Sequence, residues 1–242
     1  MLFGGTSTEC FGAMFAQAVA DPNVAAIVIN VDSPGGTVSG VPELAAQINA
    51  ARGTKPIVAV ANGMAASAAY WLASQADEIV VTPSGEVGSI GVFCAHFDES
   101  GALEQAGVKP TLISAGKYKV EGNPFGPLTD EALASIQSRV DDLYAMFTSD
   151  VAKARAMPVD RVRGRAFGEG RMLGAKRSVN SGMADRVGTL SETIGRLSTP
   201  QGRRTVRTAG STEWRRARLE ARFEPSEDLV RRIVRAERLG TI

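Results

Sequence analysis

The sequence predicts an α/β protein built on a parallel sheet. Two runs rich in β-branched residues, "AAIVINV" (Ala25–Val31) and "KPIVAVAN" (Lys55–Asn62), have the continuous hydrophobicity of strands buried on both faces. Each is followed by a turn of small residues and then by a stretch with helical periodicity. A third run, "DEIVVTP" (Asp77–Pro83), completes a strand–helix–strand–helix–strand order, which right-handed crossovers convert into parallel neighbours.

The elements follow in order. "FGAMFAQAVA" (Phe11–Ala20) reads as a helix packing through Phe11, Met14, Phe15 and Val19. The first strand runs into "DSPGGTVSG" (Asp32–Gly40), a loop by its Pro and Gly content. "VPELAAQINAAR" (Val41–Arg52) is a helix with Pro42 near its start. After the second strand, "AASAAYWLASQA" (Ala65–Ala76) is a helix with Tyr70 and Trp71 facing the core. "GSIGVFCAHF" (Gly88–Phe97) and "KPTLISAG" (Lys109–Gly116) are expected as strands, with a short helix at Ser100–Gly107 between them. Thr129 caps a long helix to Ala156, whose apolar stripe is Leu133, Ile136, Val140, Leu143, Phe147 and Val151; Asp141 and Asp142 lie on its solvated face. "GRMLGAKRSVNSGMADRVGTLSETIGRL" (Gly170–Leu197) reads as a helix, a Gly-marked turn, a short strand and a final helix.

The chain divides at about residue 198. Residues 1–198 form one domain. Residues 199–242 form an Arg-rich linker and tail, with "QGRRTVRTAGST" (Gln201–Thr212) as flexible linker and two basic helices beyond it, at Glu213–Phe223 and Ser226–Leu239. Residues 201–242 hold 11 Arg and no Lys against 6 acidic residues, a net of +5, which leaves −4 for residues 1–200. Such a tail is a solvated helix or arm, or docks on an acidic surface or a neighbouring protein.

Bulk properties narrow the function. Hydrophobic residues at 44% and charged residues at 22% suffice for a single large core. A formal net charge of +1 gives the whole chain no nucleic-acid signature. The longest apolar run, Val24–Val31, is far short of the roughly 20 residues of a membrane span. The first residues lack a basic stretch followed by an apolar core, so a soluble cytoplasmic chain is expected. Cys10 and Cys94 have no zinc or disulfide spacing and are expected as buried thiols. His96 is the one histidine, expected in a structural or surface role; a Ser-His-Asp triad would have to use it.

The stretch "NGMAASAAYWLAS" (Asn62–Ser74) holds the chemistry-bearing candidate. Ser67 lies among small residues at a helix start, where the first-turn amides lack intrahelical partners and favour negative charge. Acyl transfer needs such a nucleophilic oxygen beside amides aimed at the developing oxyanion. The same composition also suits a packing serine. "DSPGG" lies at the carboxyl end of the preceding strand, where ligand sites of open parallel sheets form. A serine needs a base, and the alternative to His96 is a neutral lysine. Its pKa must fall from about 10.4 to near 7, about 4 kcal/mol against the ammonium, which requires a dry site. Of six lysines, Lys117 and Lys119 in "SAGKYKVEGNPFGPLT" are the pair in a site-like loop.

Five motifs in order, "DSPGG", "NGMAASAAYWLAS", "GEVGSIGV", "SAGKYKVEGNPFGPLT" and "GRMLGAKRSVNSGMADRVG", make residues 6–197 resemble the signal peptide peptidase A family of serine peptidases, which includes phage capsid-assembly proteases. The resemblance implies a ClpP/crotonase-like fold of repeated β-β-α units and a Ser-Lys dyad, without metal or cofactor. It makes Ser67 the nucleophile, Lys119 rather than Lys117 the general base, and Ser89 the hydroxyl that orients the lysine. The oxyanion hole is expected from the amides of Gly36 and Ala68. Many family members carry Asp after the lysine, where this chain has Val120.

The resemblance also implies a polypeptide substrate and a homo-oligomeric ring in which Ser and Lys can come from adjacent subunits. The role expected is phage head maturation, on capsid, scaffold or portal proteins in the host cytoplasm or the assembling prohead, with the Arg-rich tail docking on capsid or scaffold. The competing readings are a bacterial signal peptide peptidase, a crotonase-type acyl-CoA enzyme that would need neither Ser67 nor Lys119, and an inactive assembly protein.

Overall fold

A computed structural model describes residues 5–209. It is a mixed α/β structure on a mostly parallel six-stranded sheet. The strands are β1 (Ile27–Ser33), β2 (Ile57–Ala66), β3 (Glu78–Val81), β4 (Glu86–Gly88), β5 (Met172–Gly174) and β6 (Arg186–Val187). The helices are α1 (Thr8–Ala20), α2 (Val41–Ala50), α3 (Ala68–Ala73), α4 (Ser100–Gln105), α5 (Asp130–Ala154), α6 (Val159–Arg163), α7 (Ala175–Ser181), α8 (Leu190–Leu197) and α9 (Pro200–Ala209), with a 3₁₀ turn at Arg165–Phe167.

The central strand is β2. Its residues Val58–Ala61 pair with β1 on one edge and β3 on the other; further along, Ala65 pairs with Ser33 and with Val87 of β4. All pairs are parallel except β4–β5, which extends the sheet antiparallel through Gly88↔Met172. Alternation along β2 splits the core. Ile57, Ala59 and Ala61 pack with Leu44, Ile48, Tyr70, Trp71, Phe147 and Val151 under the α1, α2, α3 and α5 layer. Val58 and Val60 pack with Val80, Leu197 and Val206 under α8 and α9. Burial on both faces explains why these strands read as unbroken apolar runs.

Three corrections concern the elements. Gly88–Phe97 and Lys109–Gly116 are not strands: β4 ends at Gly88, and residues 91–99 and 108–114 are irregular and largely exposed. β-Branched composition cannot make a strand where no neighbour offers a ladder. Gln201–Thr212 is not a linker throughout, because Pro200–Ala209 is α9, held by Val206 buried against the sheet. The expected tail helices beyond Gly210 lie outside the described residues. The α5 stripe is buried at Phe147 and Val151, whereas Leu133 is 52% exposed and none of residues 133–146 is buried. Both cysteines are exposed, Cys10 on the outer face of α1 and Cys94 in the irregular segment, so neither is the buried thiol expected. Tyr70 and Trp71 are core residues, as expected. Among the described residues no helix is long and apolar enough to cross a membrane.

Buried charge fixes the helices to the sheet. Arg155, at the end of α5, makes a two-pronged pair with Asp185 at 2.8 and 2.9 Å and donates to the Gly182 carbonyl. Asp185 in turn accepts the Ile79 amide of β3 at 2.8 Å. On the other face, Glu78 is buried between Arg186 and Arg196, which ties α8 to β3. Removing one member of a buried pair strands the other charge. Arg155→Ala or Asp185→Ala is therefore expected to lower unfolding stability by about 3–5 kcal/mol, read as a lower urea midpoint at unchanged slope; a loss under 1 kcal/mol would contradict it.

Candidate active site

The turn from β2 into α3 is one residue long, and that residue is Ser67. It adopts φ 52°, ψ −124°, in the half of backbone space that non-glycine residues rarely enter. The helix expected from Ala65 thus begins only at Ala68: β2 runs on to Ala66, and Ser67 is the N-cap. Such a conformation costs about 1–3 kcal/mol and persists only where the surroundings over-determine it. Here they do. The Ser67 amide donates to the Gly88 carbonyl of β4 at 2.9 Å, and its carbonyl accepts the Trp71 amide at 2.9 Å. Trp71 stacks on Phe147 of α5 at 4.5 Å and 5°, and its indole N–H donates to Asp150 at 3.0 Å. The Tyr70 hydroxyl donates to the Met183 carbonyl at 3.0 Å. The serine is locked between β4 and α5 while its side chain stays half-buried.

The "DSPGG" loop lies against it. Gly35 has φ 98°, and a Cβ there would stand 2.7 Å from the Ser67 Cβ, 2.9 Å from the Ala66 oxygen and 3.0 Å from the Ala68 nitrogen. Only glycine permits this approach. Gly36, the next residue, is exposed with open space beside it. Ser67, Ala68 and the Gly35–Gly36 backbone therefore form one cluster at the carboxyl ends of β1 and β2. On the opposite edge, Ser89 directly follows the carbonyl that holds the Ser67 amide. It too has positive φ, 53°, and donates its amide to the Arg171 carbonyl at 3.2 Å.

The lysines sit elsewhere. Lys117 and Lys119 are exposed in the turn 115–122. Lys117 Nζ donates to the Tyr118 hydroxyl at 2.5 Å and lies 3.7 Å from Glu131; Tyr118 donates to Glu131 at 2.7 Å. The loop thus hangs from the first turn of α5, whereas Ser67 is anchored through Trp71 to Phe147 and Asp150 near the other end. Glu131 and Asp150 are about 28 Å apart along the helix at 1.5 Å per residue. Among the described residues no hydrogen bond or ion pair joins Lys119 to Ser67 or Ser89. His96 bonds the Asn123 carbonyl at 3.0 Å, a structural tie within the same excursion. Asp141 accepts from Gln137 on the solvated face of α5. Among the described residues no group of three or more His, Cys, Asp or Glu could hold a metal ion.

Sequence reasoning missed Trp71 and Asp150 as supports, because a core aromatic carries no local mark of what it braces. It also missed Arg171, which lay inside a quoted motif without a role.

Comparison with known proteins adds a family. The model of peptidase family S49 matches residues 49–203. The chain is 36% identical over 196 residues to the head-tail preconnector protein GP5 of Enterobacteria phage P21, covering 81% of this chain and 38% of that protein. It is 37% identical over 182 residues to capsid assembly protease C of Escherichia phage lambda, covering 75% and 41%. It is 34% identical over 170 residues to the chloroplastic serine protease SPPA of Arabidopsis thaliana, covering 70% and 25%. The chain thus spans about two fifths of the length of the two phage relatives.

The apposition of Gly35 and Ser67 is open to a direct check. Gly35→Val forces the loop or the serine to move by about an ångström, which typically costs about 100-fold in reactivity. The expected result is loss of Ser67 labelling by a fluorophosphonate, followed by mass spectrometry, with the far-ultraviolet circular dichroism retained. Labelling at the wild-type rate would refute the packing argument.

Proposed function

The chain belongs to peptidase family S49, and we propose that it is a serine endopeptidase using Ser67 and Lys119 through an acyl-enzyme. The observation that carries this is the strained Ser67 held beside the Gly35–Gly36 backbone and the free end of a helix. A serine nucleophile and amide donors have to be arranged in that way. Lys119 takes the Ser67 proton as Oγ attacks the scissile carbonyl. The oxyanion is held by the amides of Gly36 and Ala68. Lys119 then protonates the leaving amine, and a water deprotonated by the same lysine releases the acyl group. Ser89 orients the lysine. The fold proposed for this chemistry is of the ClpP/crotonase kind. A crotonase-type reaction would leave the backbone of Ser67 no reason to be strained.

The lysine comes from a neighbouring subunit in this reading. What supports it is α5, which holds the Lys119 loop and the Ser67 support far apart along one rigid helix. A second support is the apolar surface of the same excursion: Phe93 is 89%, Phe97 72% and Ile113 95% exposed. Large apolar side chains so exposed fit a surface that a partner covers. Closing a second copy over it would take Lys119 out of water, as a basic amine requires. The assembly is a homo-oligomeric ring.

The substrates proposed are polypeptides of an assembling phage head, in the host cytoplasm or the prohead, because two relatives at 36–37% identity carry phage head-assembly names. The Arg-rich end of the chain is proposed to dock on capsid or scaffold.

Wild type is expected to cleave casein, and Ser67→Ala and Lys119→Ala each to lose at least about 1,000-fold in kcat. Activity surviving in Ser67→Ala would remove the dyad. Mixing the two inactive variants tests which subunit supplies the lysine. Each complete site needs an intact serine from one copy and an intact lysine from the next, so randomly reassembled rings recover about a quarter of wild-type activity. A dyad within one chain recovers none. Ile113→Glu with Phe93→Glu is expected to yield monomers by light scattering and to abolish cleavage; oligomers of unchanged mass would contradict the assigned interface.

A further inference from the structure

A second strained turn borders the serine, and the proposed chemistry leaves it without a task. Four non-glycine residues among those described have positive φ: Ser67, Ser89, Ala156 and Glu169. Three of them meet at one place. Gly168, Glu169 and Gly170 are consecutive residues with φ of 83°, 51° and 89°, and they deliver Arg171 onto the end of β4. The Arg171 amide closes this turn on the Gly168 carbonyl at 2.9 Å, and its own carbonyl accepts the Ser89 amide at 3.2 Å. That bond continues the β4–β5 ladder one step past Gly88↔Met172, which sets Arg171 directly across from Ser89. Strain of this kind is retained at sites that bind or react.

Among the described residues the residue so placed is a cation without a side-chain partner. Arg171 is exposed, and among the described residues it makes no side-chain hydrogen bond or ion pair, not even with Glu169 two positions earlier. Arg52, Arg155, Arg186 and Arg196 are paired with carboxylates, whereas among the described residues Arg171 shares its lack of a side-chain partner with the exposed Arg139, Arg165 and Arg177; what sets it apart is its place across from Ser89. Topology says which side of the substrate it meets. β1 and β4 flank opposite edges of β2, so the Gly35–Gly36 loop and Ser89 lie on opposite sides of Ser67. The oxyanion amides occupy the first side. The lysine that protonates the leaving amine has to enter over the second, where Ser89 is. Arg171 therefore borders the part of the substrate on the leaving-group side of the scissile bond.

Resting on the serine-peptidase reading above, we propose that Arg171 is a specificity-determining residue that binds an acidic side chain of the polypeptide substrate, within a few residues on the carboxyl side of the cleaved bond. A guanidinium is suited to this, since its fork matches a carboxylate in two parallel hydrogen bonds. The strained Gly168–Gly170 turn holds the arginine backbone so that its position, unlike that of a surface lysine, is set by the sheet.

The test uses the assembled protein and a set of C-terminally amidated peptides around one scissile bond. The peptides differ only in carrying Asp, Ala or Lys at each of the three following positions, so the side chain is the only carboxylate that varies. At one of these positions wild type is expected to prefer Asp over Ala by about tenfold in kcat/KM, as for one charge-assisted pair. Arg171→Ala should abolish that preference while leaving the Ala peptide cleaved at the wild-type rate. Arg171→Lys should keep part of it, and Arg171→Glu should transfer the preference to the Lys peptide. Equal cleavage of Asp and Ala peptides by wild type, or a preference that survives in Arg171→Ala, overturns the inference while the peptidase reading stands. A general loss of rate on all peptides in Arg171→Ala, with no change in their ratio, makes the residue structural and likewise overturns it. Absence of cleavage and of Ser67 labelling in wild type removes the peptidase reading itself, and this inference with it.

Discussion

The backbone of Ser67 is the constraint on which the rest of this structure turns. A residue with a side chain is held at φ 52° between a strand and a helix, at a cost that local sequence cannot meet. Two remote anchors meet it. The Gly88 carbonyl takes the serine amide from the β4 side, and Trp71 is clamped on α5 from the other. Each anchor has its own support. Gly88 is pressed against the backbone of Arg171 so closely that a Cβ would not fit. The carboxyl end of α5 is tied to the sheet by Arg155 and Asp185. The buried ion pair is therefore more than a contribution to stability, because it holds the helix that holds the tryptophan that holds the serine.

A consequence of this architecture is that α5 does two jobs at opposite ends. Its last turns belong to the core, with Phe147 and Val151 fully buried. Its first turns carry the lysine loop through Glu131 and leave Leu133 exposed. A helix of 25 residues is too stiff to fold the second end back onto the first. The described residues of one copy thus fix Ser67 in place and leave Phe93, Phe97 and Ile113 exposed. In the proposed reading a neighbouring copy accounts for both. In that reading, burying these side chains by association would supply hydrophobic driving force that the described residues of one chain leave unused.

Electrostatics around the serine is asymmetric in the same sense. The β1 side brings the Gly35–Gly36 backbone against Ser67, with the Gly35 amide donating to Ser33 Oγ. The β4–β5 side presents Ser89 and Arg171, which has no side-chain partner among the described residues. Oxyanion stabilisation needs fixed dipoles that do not reorganise, whereas recognition of a side chain needs a group that can reach. In the proposed reading the two edges of β2 carry those two different kinds of chemistry.

How much of this was legible beforehand follows from the range of each interaction. The strands β1, β2 and β3, the caps at Thr129 and the position of Tyr70 and Trp71 in the core depend on periodicity and on neighbours a few residues away, and the sequence by itself determined them. The motif order also singled out Ser67, Gly36, Ala68, Ser89 and Lys119 as a set. It could not say that Gly88–Phe97 and Lys109–Gly116 lack strand partners, because a ladder is supplied by another segment. It could not expose Cys10 and Cys94, or see that α9 would be pinned by Val206, because a residue's burial is decided by what packs over it. Tertiary structure alone decided that Ser67 is strained, that Gly35 touches it, that Arg171 stands across from Ser89, and that the lysine loop hangs from the far end of α5. Those facts are contacts between residues 13 to 82 positions apart, and no local propensity encodes them.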